Sequence, residues 1–479
     1  MSQSENNSTG GGAARGAVAE LLFLALPTIA QMASYTVMQF IDTWMLSHVG
    51  AGVVEPTAGS QAGLLAFSVI SLGMGVMWVV NTFVSQSYGQ KDFAACGQYL
   101  WQGVWVGLIF SVLLLPVLPV MSATFSLLGH EPRLAGLEAS YLKIVLGASV
   151  LKLVGTAVSQ FLLAIDRPVQ VLMATVLGVT VNAVAAWAMI FGHWGFSAGG
   201  VSGAAWAQNV GVLVETGAMI FFAMRPAVRR RFNVGDWKFR ASQARALLRV
   251  GVPSGLQIVA DVLAWTAFSM WVMAAFPGEA GTRAMAATTF VFRFMAVSFM
   301  PAYGLSVAVT ALVGRYIGAG RPDVSERRAH LGFAVAASYM LVCGLFFFLS
   351  RNWLIGLFSA DAAVRREGAM LLVFAAVYQF FDAMYIVYNG ALRGAGDTFV
   401  PAVATGVLCW GITVFGAHAV ARARPAWGAA GPWAAATFYG IVLGIFILAR
   451  FKRGAWKAIR LEEPAASDTV PLLEKAVPN

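Results

Sequence analysis

The sequence predicts an all-helical integral membrane protein, in which twelve transmembrane helices form two pseudo-symmetric six-helix lobes around a central cavity. Three observations lead to this fold class. Of the 479 residues, 59% are hydrophobic and only 11% are charged, whereas about a quarter of the residues in soluble domains are charged. The apolar residues form long continuous segments. Short motifs in the first half of the chain also return in the second half.

Each apolar segment is long enough to cross a bilayer as a helix. A span needs about 20 mostly apolar residues, and the segments lack the alternating pattern of a membrane β-barrel. The loops between them are too short to hold a separate domain. The twelve segments cover approximately residues 18–46, 60–84, 97–120, 139–164, 169–192, 200–224, 246–275, 284–314, 329–350, 367–392, 399–421 and 427–450.

Three motifs recur at nearly constant spacing, which predicts that the halves of the chain are structural repeats. LPTIAQ, with Pro27, returns as VPSGLQ, with Pro253. VSQSYG returns as VGRYIG, and GVSGAAWA returns as GAAGPWAA, so that the three offsets are 226, 229 and 228 residues. Because each half holds an even number of spans, the repeats are expected to be parallel. A binding site is therefore expected between them.

The distribution of lysine and arginine predicts the orientation. These residues prefer the cytoplasmic side of a membrane. The tails and the even-numbered loops, with the adjoining helix ends, hold 22 of the 32, and the odd-numbered loops hold seven. Both termini are therefore predicted to be cytoplasmic, in a bacterial inner membrane. The predicted parts are a disordered cytoplasmic tail at 1–17, an N-lobe at 18–224, a basic cytoplasmic linker at 225–245, a C-lobe at 246–450 and a cytoplasmic tail at 451–479.

Several functional classes are excluded by what the sequence lacks. The net charge is +10, but no polar domain combines basic runs with aromatic residues, so nucleic-acid binding is not expected. The cysteines have neither pairing nor metal-ligand spacing, and the chain has no phosphate-binding G-x-x-x-x-G-K-[ST] loop. We therefore predict no enzyme activity and no cofactor, and we expect an ion gradient to drive any transport.

Three aspartates lie within apolar segments, where a charge costs a few kcal/mol and therefore indicates function. Each is accompanied at helical spacing by polar and aromatic residues. The resulting stripes are expected to line a cavity. They consist of Gln31, Tyr35, Met38 and Asp42 on helix 1, of Ser254, Gln257, Asp261, Trp265 and Phe268 on helix 7, and of Tyr378, Asp382, Tyr385 and Asn389 on helix 10.

Two roles remain open for these aspartates. Each could pair with an intramembrane cation and only lock helices together, and the available cations are Lys143, Lys152 and Arg293. Alternatively, they could bind a transported ion. Burial disfavours the ionised carboxyl and promotes proton exchange, while an ionised aspartate beside neutral oxygens resembles a site for a hard cation such as sodium. Glu215, in the middle of helix 6, is left unassigned between structure and function.

The residues around these acids resemble the multidrug and toxic compound extrusion (MATE) transporters, particularly their bacterial NorM-like branch. The similarity covers approximately residues 20–450. LPTIAQMASYTVMQFIDTWMLSHVG resembles the first helix of that family, GVPSGLQIVAD resembles the start of its seventh, and QFFDAMYIVYNGALRGAGDT is the most specific piece. The resemblance implies an antiporter that expels amphipathic, often cationic compounds in exchange for sodium or protons. We expect it to act as a monomer.

The resemblance also implies roles for individual residues. Asp382 matches the coupling aspartate of helix 10 and Asp42 the aspartate of the N-lobe. Asp261 stands where the NorM-like branch usually has the longer glutamate. The cation-coupling residues implied are Asp382, Asp261, Asn389, Asp42 and Asn182, and the substrate-binding residues expected are Gln31, Tyr35, Gln257, Trp265, Phe268, Tyr378 and Tyr385.

The N-lobe departs from the family pattern at two positions. Ala186 stands where some members carry another aspartate, and Gln208 stands where a threonine is frequent. These differences favour the C-lobe acids for coupling. Two other functional classes fit the sequence less well. A lipid-linked saccharide flippase of the same superfamily should have a more cationic cavity, and the helix-10 match favours extrusion over it. A membrane enzyme would need a catalytic motif that the loops do not contain.

Overall fold

The computed structural model describes residues 8–49, 54–127, 130–359, 361–459 and 461, and all regular elements in these ranges are helical. Twelve long segments run through the described part of the molecule. Their bounds are α1 Ser8–Leu46, α2 Val54–Gln90, α3 Phe93–Ser126, α4 Pro132–Gly147 with Ser149–Ala164, α5 Pro168–Phe191, α6 Gly200–Met224, α7 Ala241–Ala275, α8 Glu279–Gly318, α9 Pro322–Gly356, α10 Ala362–Ala395, α11 Phe399–Ala423 and α12 Ala430–Lys452.

The predicted number of spans is confirmed. Eleven of these segments are long and apolar enough to cross a membrane as single helices, and α4 becomes the twelfth when its two halves, bent by 46°, count as one span. No proline marks this bend in the sequence. Both α7 and α11 contain a π-helical turn, at Phe268–Val272 and Cys409–Gly416 respectively.

Local sequence explains several helix boundaries. The Asp92 carboxylate accepts a hydrogen bond from the Ala95 amide at the start of α3, and Asp361 caps α10 in the same manner. Such caps satisfy amides that have no partner inside the helix. α10 ends at Gly396, whose φ of +87° lies in the left-handed region that glycine adopts without strain.

The outer surface of the helical bundle is apolar. Large side chains such as Phe40, Leu349 and Val342 expose more than two thirds of their surface. An apolar surface of this extent is typical of contact with lipid and not with water. The protein is therefore a membrane protein with many spans.

The spans pack into two groups, α1–α6 and α7–α12, and each apolar core cluster is drawn mainly or wholly from one group. The groups meet where α2 contacts α7 and α8 and where α1 contacts α8. A Cβ atom on Gly75 of α2 would lie 2.3 Å from the Gly255 Cα of α7, so these helices approach as closely as glycine allows.

The terminal segments differ in part from the predicted divisions. α1 already begins at Ser8, within the segment expected as a tail, and α7 begins at Ala241, within the expected linker. The linker also contains a short helix at Pro226–Arg231. Residues 1–7 and 462–479, which belong to the two expected tails, lie outside the described residues.

Candidate functional site

The two lobes are joined near the face at which α1 begins and α12 ends, here called the terminal face. Thr28 donates a hydrogen bond to the Gly304 carbonyl (2.9 Å), and Thr82 donates one to the Arg393 carbonyl (2.8 Å). Within the described residues, the hydrogen bonds between the lobes all come from the half of the molecule nearer this face. The lobes are therefore closed against each other there.

Charged side chains reinforce this closure. Glu20 of α1 accepts hydrogen bonds from Arg328 of α9 and Tyr316 of α8, both at 2.8 Å. Arg315 of α8 forms an ion pair with Asp166, which follows α4, and lies 3.9 Å from Glu20. Two acids of the N-lobe thus meet two arginines of the C-lobe.

A polar cluster lies inside the C-lobe, farther from the terminal face. Asp261 of α7 accepts hydrogen bonds from the hydroxyl of Tyr385 (3.0 Å) and from that of Tyr439 (3.2 Å). Asp382 of α10 is 7% exposed and lies near both Asp261 and Tyr378. The structure therefore brings the two C-lobe acids together, as the sequence-based hypothesis of a shared cation site requires.

Gln257 holds the base of this cluster together. Its amide nitrogen lies 2.9 Å from the Thr405 hydroxyl, 3.1 Å from that of Tyr385 and 3.4 Å from the Asn389 side-chain oxygen. Helices α7, α10 and α11 all contribute to these contacts. The expected residues Gln257 and Asn389 thus lie in the same cluster as the acids, and Gln257 fixes the Tyr385 hydroxyl that points to Asp261.

Aromatic rings enclose the cluster on the side of α7. Trp265 packs edge-on against Tyr378, with ring centres 5.9 Å apart, and against Tyr439 at 6.3 Å. Phe268 is fully buried and packs behind Trp265, against Phe292. Trp265 and Tyr378 are thus next to the acids, while Phe268 supports the position of Trp265.

A second polar cluster lies inside the N-lobe, around Asp42. Asn182 of α5 is fully buried beside this carboxyl, and Tyr141 of α4 also lies next to it and donates to Gln208 of α6 at 2.8 Å. Asp42 Oδ1 and both amide atoms of Asn182 are buried without a hydrogen-bond partner in the described part of the chain. Such unpaired polar atoms typically cost about 1–3 kcal/mol each, so the atoms around Asp42 retain unused hydrogen-bonding capacity.

A third cluster lies nearer the terminal face of the N-lobe. The Tyr35 hydroxyl donates to Glu215 Oε1 at 2.5 Å, and the Thr175 hydroxyl donates to the same oxygen at 2.7 Å. The Gln31 amide lies 3.4 Å from the Tyr35 hydroxyl, and the Lys152 ammonium lies 4.5 Å from the centre of the Tyr35 ring. The predicted residues of the three stripes are thus divided between the two lobe interiors.

The ion pairs bear on the alternative that the aspartates only lock helices together. Among the described residues, no salt bridge includes Asp42, Asp261 or Asp382. Lys143 and Arg293, two of the cations considered as partners, have exposed side chains. Asp261 instead accepts hydrogen bonds from two tyrosine hydroxyls, while Asp382 lies beside Tyr378 and Asp42 beside Asn182.

Sequence reasoning missed three residues of these clusters, namely Tyr439, Thr405 and Tyr141. Each is a neutral polar side chain in an apolar segment that holds no intramembrane aspartate at helical spacing from it. Their partners are 178, 148 and 67 positions away along the chain, so only the packing of distant helices identifies them.

Comparison with known proteins identifies relatives over most of the chain. The sequence model of the MatE family matches residues 27–188 and again residues 258–417, once in each half. The sequence is 29% identical to a probable multidrug resistance protein NorM of Mesorhizobium japonicum, in an alignment that covers 82% of this chain and 84% of that protein. It is 30% identical to multidrug resistance protein PmpM of Pseudomonas aeruginosa, with 83% of both chains covered.

Solved structures share the fold. A eukaryotic MATE transporter, AtDTX14, superposes with a TM-score of 0.80 at 18% identity, covering 92% of this chain and 96% of that one. A multidrug resistance MATE family transporter described as outward-facing superposes with the same score and coverage at 19% identity. These likenesses confirm the fold class predicted from the sequence.

Proposed function

Because the chain belongs to the MatE family of multidrug and toxic compound extrusion transporters, we propose that it is an ion-driven antiporter. It exports amphipathic, often cationic organic compounds across a bacterial inner membrane by alternating access. Its coupling ion is sodium or a proton, and it works as a monomer without a cofactor. Relatives of similar length that are named multidrug resistance proteins support this assignment.

The observation that carries the proposal is the pair of acids inside the C-lobe. Asp261 and Asp382 are neighbours in an apolar lobe, and no basic residue pairs with either of them among the described residues. Two adjacent carboxylates cannot both remain charged in such a place without a positive charge. A bound proton or sodium ion supplies that charge, and the Tyr385 and Tyr439 hydroxyls orient Asp261 toward it.

Exchange requires that the ion and the drug bind in a mutually unfavourable way, because a ligand drives a conformational change only through differential affinity. We assign the cation to Asp382 and Asp261, with Asn389 nearby, and a second cation to Asp42 and Asn182. The drug is assigned to the surfaces formed by Trp265, Tyr378 and Tyr385 in one lobe and by Gln31 and Tyr35 in the other. Gln257 contacts the Tyr385 hydroxyl, and Tyr385 belongs both to the surroundings of the cation and to the surface assigned to the drug.

The orientation of the chain in the membrane indicates which state of the transport cycle has the lobes closed at the terminal face. With both termini in the cytoplasm, as the distribution of basic residues predicts, the terminal face is cytoplasmic. The lobes are then closed toward the cytoplasm by the contacts of Glu20 and Arg315, which corresponds to an outward-facing state. Ion entry from outside and drug release to the outside both require that state.

Efflux of a cationic dye from proteoliposomes tests the proposal. The purified full-length chain is compared with Asp382→Asn under an imposed sodium gradient and, separately, under an imposed proton gradient. We expect one of the two gradients to drive efflux by the parent, and we expect the variant to lose at least tenfold in rate, because it has lost the carboxylate that holds the ion. Asp323→Asn, which changes an exposed acid at the start of α9, serves as the matched control and should keep the parental rate.

Two results would contradict the proposal. Gradient-driven efflux by Asp382→Asn at the parental rate would refute the assignment of coupling to the C-lobe. Movement of a lipid-linked sugar between leaflets by a chain that transports no dye would instead identify a flippase.

A further inference from the structure

The charged groups inside the N-lobe do not balance. Two buried acids of the lobe have a partner, since Glu138 of α4 contacts His130 and Glu55 of α2 contacts Arg133. Among the interior positions of the spans, the other charged groups are Asp42 of α1, Glu215 of α6 and Lys152 of α4. α3 and α5 carry no charged side chain, and α2 carries none between Glu55 and Tyr88. Two acids therefore face one base, and one further positive charge is needed for neutrality.

The two acids lie in separate layers of the lobe. The outer layer contains Asp42, and the inner layer, which contains Glu215, lies closer to the terminal face. On each of three helices, a residue of the outer layer is seven positions from a residue of the inner layer, which places the two layers about 10 Å apart. The neighbours of Asp42 in the outer layer are all neutral. The pairs are Asp42 and Tyr35 on α1, Asn182 and Thr175 on α5, and Gln208 and Glu215 on α6.

The base belongs to the inner layer. Lys152 places its ammonium 4.5 Å from the centre of the Tyr35 ring, and the hydroxyl of the same ring donates to Glu215 at 2.5 Å. A cation over an aromatic ring is attracted by the negative face of the ring. Tyr35 therefore connects the positive charge of Lys152 with the negative charge of Glu215.

Close packing of α5 against α6 fixes this arrangement. A Cβ atom on Gly178 would lie 2.6 Å from the Glu215 Cβ, so a larger residue would push the helices apart. Glycine at this position lets the Thr175 hydroxyl reach Glu215 at 2.7 Å. Glu215 is only 5% exposed. The acid is thus held rigidly, and Lys152 is the base that lies on the other side of its Tyr35 partner.

We propose that Lys152 is a tethered cation that neutralises Glu215 and so prevents this acid from binding a coupling ion. Asp42 is then the N-lobe acid that exchanges an ion, and Lys152 sets the number of ions exchanged for each drug molecule. This inference rests on the proposed antiport. It assigns to Lys152 a role in stoichiometry, and to Glu215 that of a fixed negative charge.

Removal of the tethered charge should create an additional ion site. In Lys152→Met, which keeps most of the length of the side chain without its charge, Glu215 must be neutralised by a free proton or sodium ion. The full-length protein in nanodiscs is mixed with tetraphenylphosphonium, and the released protons and sodium ions are counted with an indicator dye and a sodium electrode. We expect Lys152→Met to release one more ion per bound tetraphenylphosphonium than the parent does.

Three further variants make this count decisive. Lys152→Met combined with Glu215→Gln should return to the parental number, since the new site is lost. Glu215→Gln alone should also keep the parental number, and it tests the inference even if Lys152→Met does not fold. Lys143→Met, which changes an exposed lysine on the same helix, is the matched control.

The outcomes separate this inference from the proposed function. A parent that exchanges ions for drug, together with a Lys152→Met variant that releases the parental number, would overturn the inference and leave the antiporter intact. Loss of an ion in Glu215→Gln alone would also overturn it, because Glu215 would then be an exchanging acid. A parent that neither releases ions nor transports dye would refute the antiport itself.

Discussion

The ion pairs at the terminal face should control how far the lobes open there, and Arg315→Met tests this. Arg315 and Asp166 belong to different lobes, and their side chains are 15% and 33% exposed. Hydrogen bonds to charged groups contribute about 1.5–3 kcal/mol, and the partial exposure of this pair argues for the lower value. A loss of about 1.5 kcal/mol increases the ratio of open to closed molecules slightly more than tenfold. A population of about 1% open molecules would thus rise to about one tenth.

Electron–electron distance measurements between two spin labels report this population. Labels at Ala94→Cys in the N-lobe and Asp323→Cys in the C-lobe occupy exposed positions near the terminal face. Among the native cysteines, Cys96 and Cys409 are buried, and Cys343 is replaced by serine. We expect a second, longer distance to appear in Arg315→Met.

The control for this measurement is Arg321→Met, which removes an exposed arginine from the same face. No salt bridge of Arg321 is found among the described residues. The reasoning is refuted if Arg315→Met keeps the parental distance distribution, or if Arg321→Met changes it by the same amount.

Two further perturbations concern the C-lobe acid and the contact between the lobes. Tyr439→Phe removes a hydroxyl that donates to Asp261, so the cation-free carboxylate loses about 1 kcal/mol. The apparent affinity for the coupling ion, measured from the dependence of efflux on the concentration of that ion, should rise about fivefold, and a fall would contradict this. Gly255→Ala would place a Cβ atom 2.4 Å from the Leu72 carbonyl oxygen, which hinders closure of the lobes, so efflux should fall at least tenfold. Gly406→Ala, where a Cβ atom meets no other atom within 4 Å, should retain the parental rate, and equal losses in both variants would show that the lobe contact is not the cause.

The fold could be predicted from the sequence because lipid imposes a simple rule. Each span must satisfy its backbone hydrogen bonds internally and expose apolar side chains, so length and hydropathy located all twelve segments. The bend of α4 between Gly147 and Ser149 followed no such rule. Neither did the π-helical turn at Phe268–Val272, where α7 packs beside α11. Both irregularities depend on neighbouring helices that a single segment does not reveal.

The candidate site was predictable to a similar degree. A carboxylate in an apolar segment is conspicuous in the sequence, and this identified Asp42, Asp261 and Asp382. The sequence did not reveal that Tyr439 of α12 would reach Asp261 of α7, because that contact joins segments 178 positions apart. It also left Glu215 unassigned, since its meaning depends on Tyr35 and Lys152 from two other helices.

The division of acids between the lobes has an energetic consequence for export. A monovalent cationic drug exchanged for a single monovalent ion moves no net charge, so the membrane potential contributes nothing to its export. Exchange for two ions, one at the C-lobe pair and one at Asp42, moves one net charge and gains about 2.3 kcal/mol per 100 mV. This free energy corresponds to roughly a fiftyfold steeper drug gradient. If Glu215 also exchanged an ion, each cycle would move one more ion down its gradient. Under our proposal Lys152 prevents this, because it keeps a positive charge permanently in the inner layer beside Tyr35.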